Sequence, residues 1–126
     1  MPNIYYGEEI ALKGPYGSVE RARYPMQWNE AAWNHDFLDL YIQLGSLRKR
    51  YRRTLKEGSW SILASGDQYL AFARYDSKLA LVCVLSRAET STTVSISNSM
   101  LCLSELVESM GGDVGIGSEH MQVDLG

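Results

Sequence analysis

The sequence is poor in cysteine, and its two cysteines, Cys83 and Cys102, cannot build a disulfide framework. Neither stands at a metal-ligand spacing, so the expectation is two buried thiols, no metal and no cofactor. Long hydrophobic runs are missing. No apolar stretch approaches the ~18–20 residues of a bilayer span. The opening MPNIYYGEE lacks the basic region and apolar stretch of a secretory leader. Positive charge is absent from the last third of the chain. From Ala88 onward there are six acids (Glu89, Glu105, Glu108, Asp113, Glu119, Asp124) and no Lys or Arg. With a net charge of −3, this excludes a general nucleic-acid binder. Internal repeats and low-complexity tracts are lacking as well. These absences predict a cytoplasmic protein with neither membrane nor nucleic acid as a partner.

What is present suffices for a core. The chain has 126 residues, of which 45% are hydrophobic and 21% charged, which fits about one ordered domain. The strongest periodic signal runs from Asn34 to Gly58. Phe37, Leu40, Tyr41, Leu44, Leu47 and Tyr51 recur at three- and four-residue steps and share one face of a helix. Asn34 is the expected N-cap, and Asp36 places negative charge in the first turn. Six of the twelve basic residues lie between Arg48 and Lys56, at the end where cations suit the helix dipole. That position accounts for the basic run without a nucleic-acid ligand. Gly58 is the expected stop. The apolar face is expected to pack on the sheet that begins at Trp60, with Leu44 buried.

Before this helix, residues 2–6 read as a short β-like run, apolar at Ile4–Tyr6, that Gly7 breaks. Residues 7–33 hold no lasting periodicity but carry Tyr16, Tyr24, Trp28 and Trp33. Loops of this length are usually functional or belong to something larger. After the helix, Ser59–Ser65, Gln68–Tyr75 and Leu79–Leu85 read as strands separated by turns at Gly66-Asp67 and Asp76-Ser77. The unbroken apolar run LALVCVL predicts a central strand covered on both faces. Thr92–Ser97 is a further β-branched strand. Leu101–Met110 reads as a short helix or an irregular edge. Gly115 and Gly117 loosen the next stretch, and Met121–Leu125 is a strand just starting.

Three segments, in order, resemble one family. Pro2-Asn3-Ile4-Tyr5-Tyr6-Gly7-Glu8-Glu9-Ile10 resembles the tyrosine–glycine segment at the eighth barrel strand of α-amylase-family glycoside hydrolases. Arg23-Tyr24-Pro25-Met26-Gln27-Trp28-Asn29 resembles the R-x-P-M-x-W-D segment downstream of it, and Phe37–Lys49 resembles the last barrel helix. The later strands are similar to the family's C-terminal β-sandwich, with the closest flavour that of the neopullulanase, cyclomaltodextrinase and α-glucosidase group. Ala11 and Asn29 depart from the family's usual Gly and Asp, and Gly45 interrupts the helix at a cost of about 1 kcal/mol relative to Ala.

The resemblance implies a mainly β fold with one long helix. Residues 1–57 would be the last strand, loop and helix of a (β/α)8 barrel, and residues 58–126 a C-terminal antiparallel β-sandwich lacking its final strand. The family's catalytic carboxylates lie upstream of the tyrosine–glycine segment, so the chain is expected to be a piece of a larger enzyme, with no catalytic residue of its own. The resemblance also implies substrate-binding roles for Arg23, Tyr6 and Trp28, with an α-glucan or maltooligosaccharide as the parent enzyme's ligand and the rest of the barrel as partner.

Other candidates have plainer readings. Glu8 and Glu9 are adjacent and would diverge on an extended stretch, so they cannot share one sugar ring. Asn34-His35-Asp36 matches a family catalytic triplet in letters but lies on the wrong side of the other motifs, where Asn and Asp are ordinary caps. Arg23 offers a guanidinium to sugar hydroxyls or serves a local ion pair. Trp28 and Tyr6 stack on sugar or pin their loop. The preferred reading of the strands is a structural, barrel-covering role. The alternative is a non-catalytic starch-binding module, which calls for aromatics on one solvent face. Tyr69 and Tyr75 share a face but lie roughly 20 Å apart along the strand. An exposed head and an open sheet edge predict self-association, mobility of residues 7–33, or both.

Overall fold

A computed structural model describes residues 3–14, 17 and 23–125. Pro2, Pro15 and Tyr16 lie outside the described residues. The chain divides into two compact units, Met1–Arg50 and Tyr51–Gly126.

In the first unit, residues 3–5 are irregular and no described strand runs beside them. The expected strand at Ile4–Tyr6 is therefore not formed, because a strand exists through bonds to a neighbour. Gly7 is next, at φ 85°, a left-handed conformation that glycine adopts without strain, and it opens a 3-10 turn over Glu8–Ile10. Ala11 ends that turn, also left-handed at φ 52°. The Asn34 N–H donates to the Ile10 carbonyl at 3.2 Å, which ties the turn to the start of helix α1, His35–Arg50. Asn34 caps α1 as expected, its Oδ1 accepting from the Phe37 N–H at 3.0 Å.

The packing of α1 differs from expectation. None of its residues is buried, and Leu44 is 45% exposed. Phe37, Leu40 and Leu44 do form a stripe, but an exposed one. The expected single helix is also interrupted. Tyr51, at φ −102° and ψ 27°, separates α1 from α2, Arg52–Glu57. The cause lies in the bonds of α2. Thr54 is buried and donates to Asp76 Oδ2 at 2.7 Å, and the Leu55 carbonyl accepts from Arg74 Nη2 at 2.7 Å and Nε at 3.2 Å. These bonds fix α2 to the sheets, in the second unit. Gly58 stops α2 as expected, but with φ −66° its role is space, since an added Cβ would meet the Thr54 and Tyr75 carbonyl oxygens at 2.5 and 2.7 Å.

The second unit is two antiparallel three-stranded sheets. The first has the order β1-β2-β3, from Ser59–Ser65, Tyr69–Tyr75 and Ala80–Ser86. The second has the order β4-β6-β5, from Thr92–Ser97, Asp113–Ile116 (β5) and His120–Leu125 (β6). The apolar run at β3 is thus an edge strand, and β2 takes the centre. The pattern misled because Leu81, Cys83 and Leu85 lie on the outer face, where apolar residues signal exposure to something other than the core. β5 was not expected. Gly115 stays in the ladder opposite Gln122, and the strand is made by its neighbour β6, itself the centre of its sheet.

The core forms where the inner faces meet. Ala71, Val94, Ile96, Met121 and Val123 are buried together, with Val82, Val84, Val114 and Ile116 against them. Alternation along the strands puts these residues inward and their neighbours outward. Leu101–Met110 is irregular, the second of the two expected forms. Buried Asn98 organises this stretch, donating from Nδ2 to the carbonyls of Leu103 and Gly117 at 2.7 and 3.1 Å and accepting the Leu103 N–H at 2.6 Å. The two thiols are not buried. Cys102 is exposed in a left-handed turn at φ 50°, and Cys83 is half-buried on the outer face of β3.

The two outer faces differ in kind. On the first sheet, Ile62, Phe72 and Cys83 stand in one cross-strand row, with Trp60, Arg74 and Leu81 in the next and Leu70 and Leu85 in a third. Trp60, Ile62 and Leu85 are each more than half exposed. On the second sheet the corresponding rows are Thr93, Asp124 and Asp113, then Ser95, Gln122 and Gly115.

Candidate functional site

The expected site residues fall in the first unit, with Tyr6 at the turn that Gly7 makes. The turn brings the Tyr5 N–H to Glu8 Oε2 at 3.1 Å, while the Glu8 N–H donates to the Tyr5 carbonyl at 3.2 Å. Glu8 is therefore held by a local backbone N–H, and the backbone there is a 3-10 turn and not extended. The Tyr5 and Tyr6 rings sit 4.6 Å apart, tilted by 37°. The Tyr6 hydroxyl donates to the Tyr24 carbonyl at 2.9 Å, spanning eighteen residues of chain. A cleft of about 210 Å³ opens between these groups, lined by Tyr5, Tyr6, Glu8, Leu12 and Tyr24.

The electrostatics link two of the three expected residues. Partial desolvation pushes the Tyr6 phenol up from its usual value, and Tyr5 adds to this through a hydrogen bond and its charge. The Arg23 guanidinium pulls the other way, so its charge is felt at Tyr6. Trp28 is 79% exposed and does not line the cleft. Its loop is pinned by others. Trp33 Nε1 donates to the Gln27 carbonyl at 2.7 Å, Gln27 Oε1 accepts the Asn29 N–H at 2.9 Å, and Asn29 Oδ1 caps the Glu30–Ala32 turn at Ala31 N, 3.2 Å away. Tyr24 is a lining residue that sequence reasoning did not single out, and its place beside Arg23 in the R-Y-P-M segment was the available signal.

Chemically, the cleft offers phenols, backbone amides and a nearby guanidinium, groups that suit hydroxyl-rich ligands. Among the described residues Glu8 is its one lining carboxylate, and that group is engaged by a backbone amide. A second depression, of about 430 Å³, lies at the β5–β6 hairpin beside Gly117, Glu119 and His120. Among the described residues, no cluster of three His, Cys, Asp or Glu could hold a metal, and no helix is long and apolar enough to cross a membrane.

No family model matches the chain. Curated relatives do. A cyclomaltodextrinase from Geobacillus thermopakistaniensis is 30% identical over 95 residues, covering 74% of this chain and 16% of the relative. An intracellular maltogenic amylase from Bacillus subtilis is 35% identical over 75 residues, covering 58% of this chain and 12% of the relative. The chain is related to the C-terminal portion of α-amylase-family enzymes. Among solved structures, a debranching enzyme from Nostoc punctiforme superposes with a TM-score of 0.75 over 97% of this chain and 25% of its own, at 23% identity. The mainly β fold, with two antiparallel sheets and few helices, is similar to that of α-amylase-family C-terminal domains. The chain thus spans about a sixth or less of the curated relatives it matches.

The relation to α-amylase-family enzymes gives two departures a physical reading. Ala11 stands in a left-handed conformation, where the family's usual glycine is free of strain. Asn29 replaces Asp at an N-cap, a position that accepts either.

Proposed function

We propose that this chain is the non-catalytic end of a glycoside hydrolase acting on the α-glucosidic bonds of maltodextrins. In this reading residues 1–57 supply the last strand, loop and helix of a (β/α)8 barrel, the strand forming only beside the rest of that barrel, and residues 58–126 are a β-sandwich that covers the barrel. The observation that carries it is the apolar outer face of the β1-β2-β3 sheet. A free-standing domain solvates both outer faces, as β4-β6-β5 does here, whereas exposed Trp60, Ile62 and Leu85 on the one face, with Phe72, Leu70 and Leu81 between them, mark a contact surface. The maltodextrin substrate is supported by the names of the relatives, cyclomaltodextrinase and maltogenic amylase, and a cytoplasmic location by the description of the latter as intracellular. Tyr6 and Arg23 face the substrate, which their shared electrostatics favour. Trp28 does so from its exposed loop.

Retaining hydrolysis needs two carboxyl groups about 5–5.5 Å apart, and among the described residues the Tyr5 cleft offers Glu8 alone, already bonded. The chain by itself is therefore expected to leave p-nitrophenyl α-glucoside and soluble starch intact. Turnover that survives rigorous purification would overturn the reading. Calorimetric titration with maltoheptaose separates the barrel-covering role from a starch-binding module. The inward-facing row Tyr69, Ala71, Ala73 and Tyr75 predicts no heat of binding at the sheets.

A further inference from the structure

We propose that the free edge of β3 pairs with the β3 edge of a second copy of this chain, about a two-fold axis at Cys83. The inference rests on sheet topology and stands apart from the enzyme reading.

Each sheet has two edges, and three of the four are blunted. β1 is bulged between Ile62 and Ala64 and touches β4, so those two strands shelter each other. β5 is four residues long and carries Asp113 and Gly115. β3 differs on every count. It runs seven residues, Ala80–Ser86, with no charge, no proline and an unbroken register against β2. Short length, charge and bulges are among the means by which sheets keep their edges from pairing, and β3 has none of these, although α2 touches it while bonding Arg74 and Asp76 at the end of β2.

The aim of its backbone groups is set by the turns at its two ends. The Asp76 N–H donates to the Leu79 carbonyl at 2.9 Å, and the Arg87 N–H donates to the Gln68 carbonyl at 2.9 Å. Residues 79 and 87 therefore point at β2. In an antiparallel ladder this aim alternates residue by residue. Leu81, Cys83 and Leu85 bond β2, while Ala80, Val82, Val84 and Ser86 turn their N–H and C=O groups to the free edge. Among the described residues, no strand occupies that edge.

The run Leu81-Val82-Cys83-Val84-Leu85 reads the same in both directions about Cys83, and this palindrome is what selects a second copy as the occupant. Laid antiparallel, Ala80 meets Ser86 of the other chain and Val82 meets Val84, with no outward group left over. A two-fold axis relates the two halves, the commonest symmetry of homodimers. The same register sets Leu81 opposite Leu85 and the two Cys83 residues opposite each other. Theirs is a non-hydrogen-bonded pair, with Cα atoms about 4.5 Å apart, inside the range a disulfide spans.

The test is sedimentation velocity of the full chain across a concentration series, with copper-phenanthroline oxidation as a probe of register. A dimer of the 14.1 kDa chain is expected at high concentration. Cys102→Ser should still cross-link rapidly between chains, and Cys83→Ser should not. Leu85→Lys puts a charge against an apolar partner at a site 54% exposed, so the fold should survive it. It should weaken association by about tenfold or more and slow cross-linking in step. A chain that stays monomeric throughout, a dimer that cross-links through Cys102, or one indifferent to Leu85→Lys would overturn the proposal. Should Leu85→Lys lower the melting point, amide exchange in the unmodified chain decides instead. Exchange at Val82 and Val84 must slow as concentration rises, and rates independent of concentration would refute the pairing.

Discussion

The two units of this chain hold themselves together differently. In Tyr51–Gly126 the strands bury Ala71, Val94, Ile96, Met121 and Val123 against one another, a core made by side chains distant in sequence. Among the described residues of Met1–Arg50 the buried apolar side chain is Ile10, and order comes from short-range bonds: Glu8 with the Tyr5 N–H, and the caps of Asn29 on Ala31 and Asn34 on Phe37. Caps select a local conformation at about 1 kcal/mol each, whereas burying an Ile or Val side chain is worth about 1.5–3 kcal/mol. The same apolar residue type therefore means different things in the two units, and substitution can tell them apart.

The largest contrast should come from matched truncations. Ile96→Ala removes a side chain with 2% exposure and should destabilise the second unit by about 2–5 kcal/mol. Leu44→Ala, on the exposed stripe of α1, should fall nearer about 0.5 kcal/mol. Chemical denaturation of both variants checks this, and equal losses would erase the distinction between the units. Leu44→Asp is likewise expected to leave the fold intact, since the charge stays in water.

A smaller effect should appear on acidification. The Thr54 hydroxyl, and after it the Lys78 N–H, hold the Asp76 carboxyl below its usual value near 3.8. A depressed folded pKa gives stability that is fully present above the unfolded value and lost as pH falls through the folded one. The melting temperature should thus drop below about pH 4, and Asp76→Asn should flatten that limb while lowering the plateau. An acid limb unchanged by Asp76→Asn would show that this contact does not anchor α2 to the sheets.

The smallest effects concern backbone conformation in the first unit. Gly45 lies inside α1 with open space at its Cβ position, so Gly45→Ala should raise helix stability by about 1 kcal/mol. Ala11→Gly relieves a left-handed alanine worth about 1–2 kcal/mol but frees the unfolded chain by about 0.4–1 kcal/mol. A net gain of about 0.5 kcal/mol is expected from that difference. Circular dichroism of the helical signal on heating measures both, and no gain at Gly45 would mean that α1 is held by something other than its own propensity.

Much of the local structure was legible in the residues. Asn34 marks the helix start, and Ser59–Ser65 and Thr92–Ser97 were bounded to the residue, because capping and β-branched alternation act through neighbours in sequence. The motif order also pointed to the α-amylase family before any fold was described. The residues alone did not decide which strand is central. Apolar side chains on both faces of β3 read as double cover, yet its outer face and outer edge lie open. Nor could they decide where the helix stops being one piece, since the break at Tyr51 results from Thr54 and Leu55 bonding to Asp76 and Arg74 about twenty residues away. β5 exists only because β6 lies beside it, and the cleft exists only because the Tyr6 hydroxyl reaches Tyr24. Sequence determines what acts within a turn or a strand, through dihedral preference and short-range bonds. Which faces are covered, which edges remain open and which distant groups meet are properties of the assembled sheets, because burial is set by neighbours that the chain brings together only on folding.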